Sequence, residues 1–168
     1  MKKFVHLFLL FPLLCNTIIA QSESLPDVEV TSVDGTKIKL QKVIDKLTIL
    51  DFWATWCTPC IAENPYLDKI SDQYKGKINI LSISIDENVD KWKAFLTKTN
   101  KTRNQFWVEA NNELQDVITE KKTNIRGEAY TELYIPRFFL IDKNFNVLSR
   151  ELPPPSTGQL QKVLDSYL

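Results

Sequence analysis

Residues 47–60, LTILDFWATWCTPC, determine the fold and the chemistry that we expect of this chain. An apolar, strand-like run leads into Cys57 and Cys60, which have two residues between them and begin a helix-like segment. In dithiol enzymes with this spacing the first sulfur lies at a helix N-terminus, where unpaired N–H groups and the helix dipole favour a thiolate. The second cysteine is close enough to attack a mixed disulfide. The spacing therefore predicts reversible dithiol–disulfide exchange.

Two other interpretations of Cys57 and Cys60 are a static structural disulfide and half of a metal site. A metal site needs two more ligands, and beyond this pair the chain has one cysteine, Cys15, and one histidine, His6, both near the N-terminus. His6 is the only histidine, so the rest of the chain cannot form a Ser–His or Cys–His catalytic triad. We expect no metal and no cofactor, only a redox-active disulfide.

The first twenty residues have the pattern of an export signal. Lys2 and Lys3 precede an apolar run over residues 4–14, and Ala20 offers a cleavage point. The apolar run is short for a membrane span, and no later run has spanning length. We expect an exported, periplasmic protein whose mature part, residues 21–168, is one domain.

Two alternatives to cleavage remain open. Ile18 is larger than the usual small residue of a cleavage site, which favours a retained, membrane-tethering signal. Cys15 is a site for lipid modification, although Leu14 stands where a small residue is usual.

The charge balance gives no sign of a nucleic-acid partner. Loss of Lys2 and Lys3 with the signal leaves 19 basic residues against 21 acidic ones, and no long basic run occurs. We expect a monomer that acts on protein thiols and disulfides.

Strand and helix patterns alternate along the chain. Asp34-Gly35 predicts the turn of a hairpin over residues 28–40. Apolar strands at 47–53 and 78–85 enclose a helix at 59–74, an arrangement that predicts a parallel pair with a right-handed crossover.

The second half of the chain continues with helices and a strand pair. We expect helices over 89–96 and 113–120, and antiparallel strands at 137–142 and 146–149. The segment from Ser156 to Gln159 matches a capping box, which predicts the start of a last helix whose apolar face includes Tyr167.

The segment from Asp51 to Cys60 resembles the active-site segment of the thioredoxin superfamily, in particular of the exported TlpA/ResA-type thiol–disulfide oxidoreductases. Pro65 and the pair Ile135-Pro136 match further family positions, and residues 86–134 are long enough for the insertion of this branch. The resemblance implies an α/β thioredoxin-like fold: a central mixed sheet flanked by helices, an N-terminal hairpin, and a TlpA-type insertion before a cis-proline segment.

The resemblance also implies roles around the two sulfurs. Cys57 is the expected exposed nucleophile, and Cys60 is the more buried resolving thiol. Thr58 and Pro59 are expected to tune thiolate stability, and Trp56 to cover the disulfide and contact substrate.

Two acids are the expected proton carriers. Asp51 matches a buried acid beneath the second cysteine, and Glu63 matches an acid that ResA-like proteins use near the same thiol. Many TlpA-like proteins have asparagine at the first position, so either acid is a candidate base. A structural role for Asp51 and a solvated helix face for Glu63 are the alternatives.

Ile135 and Pro136 are expected to bind an extended substrate. A cis bond would place the Ile135 backbone beside the dithiol. The alternative is an ordinary trans proline that opens an edge strand. Tyr134 stands where the family usually has a small residue.

Function follows from the same resemblance. We expect reduction of disulfides in envelope proteins such as apocytochrome c, with electrons from a transmembrane thiol donor. The alternatives are an oxidase or isomerase, or a redox-responsive binding module. A thiol peroxidase has little support, because Ala54 stands where its threonine would precede Cys57.

Overall fold

A mixed sheet flanked by helices forms the centre of the chain in the computed structural model, which describes residues 23–101 and 104–168. The export signal predicted for residues 1–20, with Cys15, lies outside the described residues. Within the described part, no helix combines the length and the apolar character needed to cross a membrane. The strands are β1 (Glu29–Ser32), β2 (Lys37–Lys39), β3 (Thr48–Trp53), β4 (Asn79–Ser84), β5 (Gln105–Trp107), β6 (Thr119–Thr123), β7 (Ala129–Leu133), β8 (Arg137–Ile141) and β9 (Val147–Ser149).

Seven of these strands form the sheet, in the order β2-β1-β5-β4-β3-β8-β9. β3 is parallel to β4, and β4 to β5, whereas β8, β9 and the hairpin strands run antiparallel to their neighbours. The predicted N-terminal hairpin is confirmed, and Gly35 supplies the positive φ of 92° in its turn. The thioredoxin-like fold class expected from the sequence is the fold observed.

The helices cover both faces of the sheet. They are α1 (Thr58–Gln73), α2 (Val89–Thr99), α3 (Glu113–Val117) and α4 (Leu160–Asp165), with short 3₁₀ helices at Leu40–Val43 and Pro155–Thr157. Ile49 packs in one buried cluster with residues of α1 and α4, while Leu50 and Phe52 pack in the other with residues of α2 and α3. Because side chains alternate along a strand, Asp51 shares the face of Ile49 that α1 covers.

Three predictions for the second half of the chain are wrong in detail. The helix expected over 113–120 ends at Val117, because residues 119 and 120 belong to β6. The capping box at Ser156 does not form: α4 begins at Leu160, and Gln159 makes no side-chain cap. Tyr167 lies beyond α4 and is half exposed rather than on a buried face.

The insertion contains a hairpin that the sequence did not reveal. Strands β6 and β7 pair antiparallel outside the central sheet, from Thr119 opposite Leu133 to Thr123 opposite Ala129. The residues of β7 are exposed on both faces, so this hairpin lacks the apolar alternation by which half-buried strands are recognised. It leads directly into Ile135 and Pro136.

Candidate active site

The two cysteines form a disulfide at the N-terminus of α1. Their Cα atoms are 5.3 Å apart. Cys57 is the N-cap residue of the helix, and its sulfur accepts the backbone N–H of Cys60 at 3.2 Å. The N–H of Cys57 in turn donates to the carbonyl of Ala54 at 3.1 Å. The first sulfur therefore lies among the unpaired donors of a helix start, where a thiolate is stabilised.

The prediction of an exposed Cys57 is wrong. Cys57 is 5% exposed and Cys60 is 3% exposed, so the first cysteine is only slightly more accessible than the second. Both pack into the buried cluster that includes Trp53 and Ala54, and Ile135 packs against the same cluster. In the oxidised form, therefore, only a small part of either cysteine is accessible to a substrate.

The residues next to the sulfurs are the accessible part of the site. Thr58 and Pro59 are exposed in the first helical turn, where the missing N–H of proline needs no partner. Trp56 is 61% exposed, so most of its indole faces solvent. Among residues 23–101 and 104–168, no three ligating side chains lie close enough together to hold a metal ion.

Asp51 is a buried acid in the middle of β3. It lies opposite Ser82 in the parallel β3–β4 register, and the Ser82 hydroxyl donates to its Oδ2 at 2.8 Å. Burial raises the pKa of Asp51 to about 7, while the Ser82 bond and the charge of Lys101 oppose the rise and Glu63 adds to it. The carboxyl group therefore changes protonation near neutral pH.

A polar cavity of about 350 Å³ lies between α1, β4 and the segment that precedes β5, and Ser82, the partner of Asp51, is one of its lining residues. Ser82, Asn64 and Lys101 are among its lining residues. Lys101 forms an ion pair with Asp68, also at the cavity, with 3.3 Å between Nζ and Oδ2. Ser82 therefore contacts Asp51 through its hydroxyl group and also lines a cavity that is large enough to contain water.

Glu63 is bound to the protein on both of its oxygens. The backbone N–H of Ser156 donates to Oε2 at 2.8 Å, and the Ser156 hydroxyl donates to Oε1 at 2.7 Å. Glu63 is half-buried on α1, and its carboxylate is engaged by Ser156 rather than free in solvent. Its carboxylate joins α1 to the 3₁₀ helix Pro155–Thr157.

The Ile135–Pro136 peptide is cis, as predicted. An open groove of about 380 Å³ lies beside it, and its walls include Tyr134, Arg137 and Pro154. Tyr134 is half exposed, and its ring centroid is 5.7 Å from the guanidinium carbon of Arg137. An aromatic wall therefore stands where the family usually has a small side chain.

Arg137 ties the β6–β7 hairpin to the core. Its guanidinium group binds Glu120 of β6 at 3.0 Å and Glu151 at 3.2 Å. The arginine side chain is only 12% exposed, so its charge is compensated within the protein and is not free to attract a substrate.

Sequence reasoning missed Asp86, which follows β4 and contacts the loop before Cys57. Its carboxylate accepts hydrogen bonds from the backbone and hydroxyl of Thr55. The carboxyl ends of parallel strands meet at one edge of a sheet. An acid two residues after the end of β4 was therefore the available signal.

Comparison with known proteins agrees with this geometry. The Redoxin family model matches residues 20–168. A thiol-disulfide oxidoreductase ResA of Bacillus cereus is 31% identical over 140 residues, which cover 83% of this chain and 73% of that protein.

Solved structures give the same result. The crystal structure of a protein described as a candidate thiol-disulfide oxidoreductase from Bacteroides vulgatus superposes with a TM-score of 0.71 at 31% identity, covering 88% of this chain and 96% of that one. A thiol:disulfide interchange protein from Bacteroides sp., at 22% identity and a TM-score of 0.65, shares the fold over 87% of this chain and 91% of its own.

The fold and the paired cysteines define a thioredoxin-like protein thiol-disulfide oxidoreductase. Such enzymes exchange a dithiol for a disulfide in a partner protein. The chain belongs to the Redoxin family and, within the thioredoxin superfamily, is ResA-like.

Proposed function

We propose that this protein is an exported reductant of protein disulfides. The Cys57 thiolate attacks a substrate disulfide, which forms a mixed disulfide and releases the first substrate thiolate. Cys60 gives up its proton and attacks the Cys57 sulfur, which releases the second substrate thiolate and leaves the Cys57–Cys60 disulfide. A membrane-bound dithiol donor is then oxidised to its own disulfide and returns two electrons, which regenerates the Cys57 thiolate, and Cys60 takes up one proton.

The observation that carries the reducing direction is the acidic surroundings of the dithiol. Asp51 and Glu63 lie on the strand and the helix that hold the cysteines, whereas nearby Arg137 and Lys101 are each paired with carboxylates. A carboxylate disfavours a neighbouring thiolate, to which Asp51 contributes only in its ionised form above about pH 7, and a dithiol whose reduced form is less stabilised has a more negative potential. These surroundings favour a reductant over an oxidase.

Asp51 is the base that we propose for Cys60. A carboxyl group with a pKa of about 7 accepts a proton from a thiol more readily than an ordinary aspartate does. Ser82 and the polar cavity behind it provide a route by which this proton reaches solvent. Glu63, whose oxygens are both held by Ser156, is the second candidate.

The environment and the partners are part of the same proposal. The signal-like sequence of residues 1–20 and the likeness to ResA support export to the periplasm, with membrane tethering if the signal is retained. Disulfides of envelope proteins, apocytochrome c among them, are the proposed substrates of the monomer. Trp56, Thr58, Pro59, Ile135 and Pro136 form the proposed contact surface.

The equilibrium potential of the Cys57–Cys60 couple tests the direction. The mature domain is titrated in a thiol–disulfide buffer while tryptophan emission and thiol alkylation are followed together. A potential below about −230 mV is expected for a reductant. A potential near about −150 mV would contradict the reducing direction and favour an oxidase or isomerase.

Substrate trapping tests the exchange itself. Cys60→Ser leaves the nucleophile but removes the resolving thiol, so mixed disulfides with envelope proteins should accumulate on non-reducing gels. Cys57→Ser is the matched control and should accumulate none. Equal trapping by the two variants would show that Cys57 is not the attacking sulfur.

A further inference from the structure

Asp86 is a buried carboxylate that contacts the turn before the nucleophile, and the exchange steps described above do not use it. It is 3% exposed and follows β4 at the edge where β3 also ends. Its oxygens accept the N–H of Thr55 at 3.0 and 3.2 Å and the Thr55 hydroxyl at 2.6 Å. The Ser84 hydroxyl donates to the same carboxylate at 2.7 Å.

The partners of Asp86 are neutral hydrogen-bond donors. None of the ion pairs found in the described part of the chain involves this carboxylate. Its own backbone is also fixed, because the indole N–H of Trp107 donates to the Asp86 carbonyl at 2.7 Å. A buried charge without a counter-ion is costly, and it persists only when several donors compensate it.

The contact with Thr55 places this charge at the turn that carries the nucleophile. Thr55 and Trp56 are the central residues of a turn closed by the hydrogen bond from Cys57 to Ala54. The turn's own hydrogen bond does not involve the backbone N–H of Thr55, which is half-buried. The Asp86 carboxylate is the acceptor for this N–H. Asp86 therefore fixes the position from which the chain enters α1.

We propose that Asp86 is a positioning residue for Cys57: it anchors the Thr55–Trp56 turn, and its buried negative charge opposes formation of the Cys57 thiolate. Other charged groups on the elements that meet at the dithiol are Asp51 on β3, Glu63 near the start of α1 and Arg137 on β8, while Asp68, Lys69 and Asp72 lie two or more turns beyond Cys60 on α1. Of all these groups, only Asp86 bonds to the turn itself. The proposal rests on dithiol exchange and does not depend on its direction.

Asp86→Asn tests the electrostatic part. The amide keeps the size and one acceptor oxygen but removes the charge, so the Cys57 thiolate becomes easier to form. We expect the pH midpoint of Cys57 alkylation, measured on the reduced protein, to fall, with a several-fold faster reaction at pH values below the wild-type midpoint. Glu87→Gln is the matched control, because it removes an exposed charge from the next residue and should leave the midpoint unchanged.

Thr55→Val tests the anchoring role of Asp86. This test can be carried out even if the Asp86→Asn variant does not fold. This variant removes the hydroxyl donor and keeps both the backbone N–H and the carboxylate. We expect a several-fold slower formation of the mixed disulfide with an unchanged alkylation midpoint. A wild-type rate in Thr55→Val would overturn the anchoring role, and equal midpoints in Asp86→Asn and Glu87→Gln would overturn the charge effect. The absolute potential of the couple, which tests the reducing direction, is a separate measurement.

Discussion

Glu63 and Ser156 are joined by two hydrogen bonds across 93 positions of the chain. The glutamate belongs to the helix that begins at the dithiol, and the serine belongs to the short 3₁₀ helix Pro155–Thr157 before α4. This pair fixes the orientation of a candidate base. It also occupies the backbone N–H of Ser156, which is the donor that Gln159 would bind in a capping box.

Removing the Ser156 hydroxyl should weaken this connection. We expect Ser156→Ala to lower the free energy of unfolding by about 1 kcal/mol, because the charged oxygen loses one of its two donors. Urea unfolding of the oxidised protein measures the change. In the background of Glu63→Gln the same substitution should cost less; equal costs in both backgrounds would mean that the two side chains are not coupled.

The burial of Asp51 predicts an unusual dependence of stability on pH. Its pKa is raised from 3.8 to about 7, so the folded protein keeps a proton that the unfolded chain loses above about pH 4. The stabilising contribution of this group is complete below about pH 4 and is lost as the pH rises through about 7.

Asp51→Asn should remove that dependence. We expect the variant to gain up to about 4 kcal/mol over the wild type between pH 4 and pH 8, as an upper estimate for a buried carboxyl group. Denaturant unfolding of the oxidised proteins at both pH values measures this difference. A parallel pH dependence in the two proteins would show that Asp51 is not perturbed.

The same substitution should identify the base for Cys60. If Asp51 accepts the proton, Asp51→Asn slows the resolution of a preformed mixed disulfide about 10²-fold or more at neutral pH and abolishes the pH midpoint near 7. Glu63→Gln should retain that midpoint. Stopped-flow measurement of thiol release between pH 5 and pH 9 distinguishes the two acids, and the opposite pattern would assign the base to Glu63.

The exposed indole of Trp56 should act in substrate recognition rather than in stability. Because Trp56 is 61% exposed, Trp56→Ala should change the free energy of unfolding by less than about 1 kcal/mol. We expect kcat/KM for a protein disulfide to fall several-fold, with a smaller effect on a small aromatic disulfide. Equal losses on both substrates would point to a change at the sulfurs instead.

The ion pair between Arg137 and Glu120 should hold the β6–β7 hairpin against the core. Glu120→Gln is expected to accelerate amide exchange in both hairpin strands by a few-fold, since a partly exposed ion pair contributes about 0.5–1 kcal/mol. Glu109→Gln removes an exposed charge outside the hairpin and is the control. Unchanged exchange would show that other contacts position the hairpin.

The elements around the dithiol were predictable because their signals are local. The apolar run that ends at Trp53, the cysteine spacing at the start of α1 and the Asp34-Gly35 turn each act over a few residues, and each gave the observed element. The cis geometry of Ile135-Pro136 followed from the family resemblance rather than from these patterns.

The environment of the site could not be predicted in the same way. Ser156 has a capping-box sequence, but Glu63 binds its donors; Cys57 was expected to be exposed, but the fold packs Trp53, Ala54 and Ile135 around it. The contact of Asp86 with Thr55 exists only because β3 and β4 end at the same edge of the sheet.

The sequence by itself determined the dithiol and the strand and helix that present it, because periodicity and short-range spacing carry that information, and its resemblance to the thioredoxin superfamily gave the class of fold. The tertiary structure alone decided how deeply the sulfurs are buried and which buried acid contacts which hydroxyl. Those properties depend on contacts between groups that are distant in the chain. Several acceptors could bind each hydrogen-bond donor, and the packing of the folded chain determines which of them lies close enough to do so.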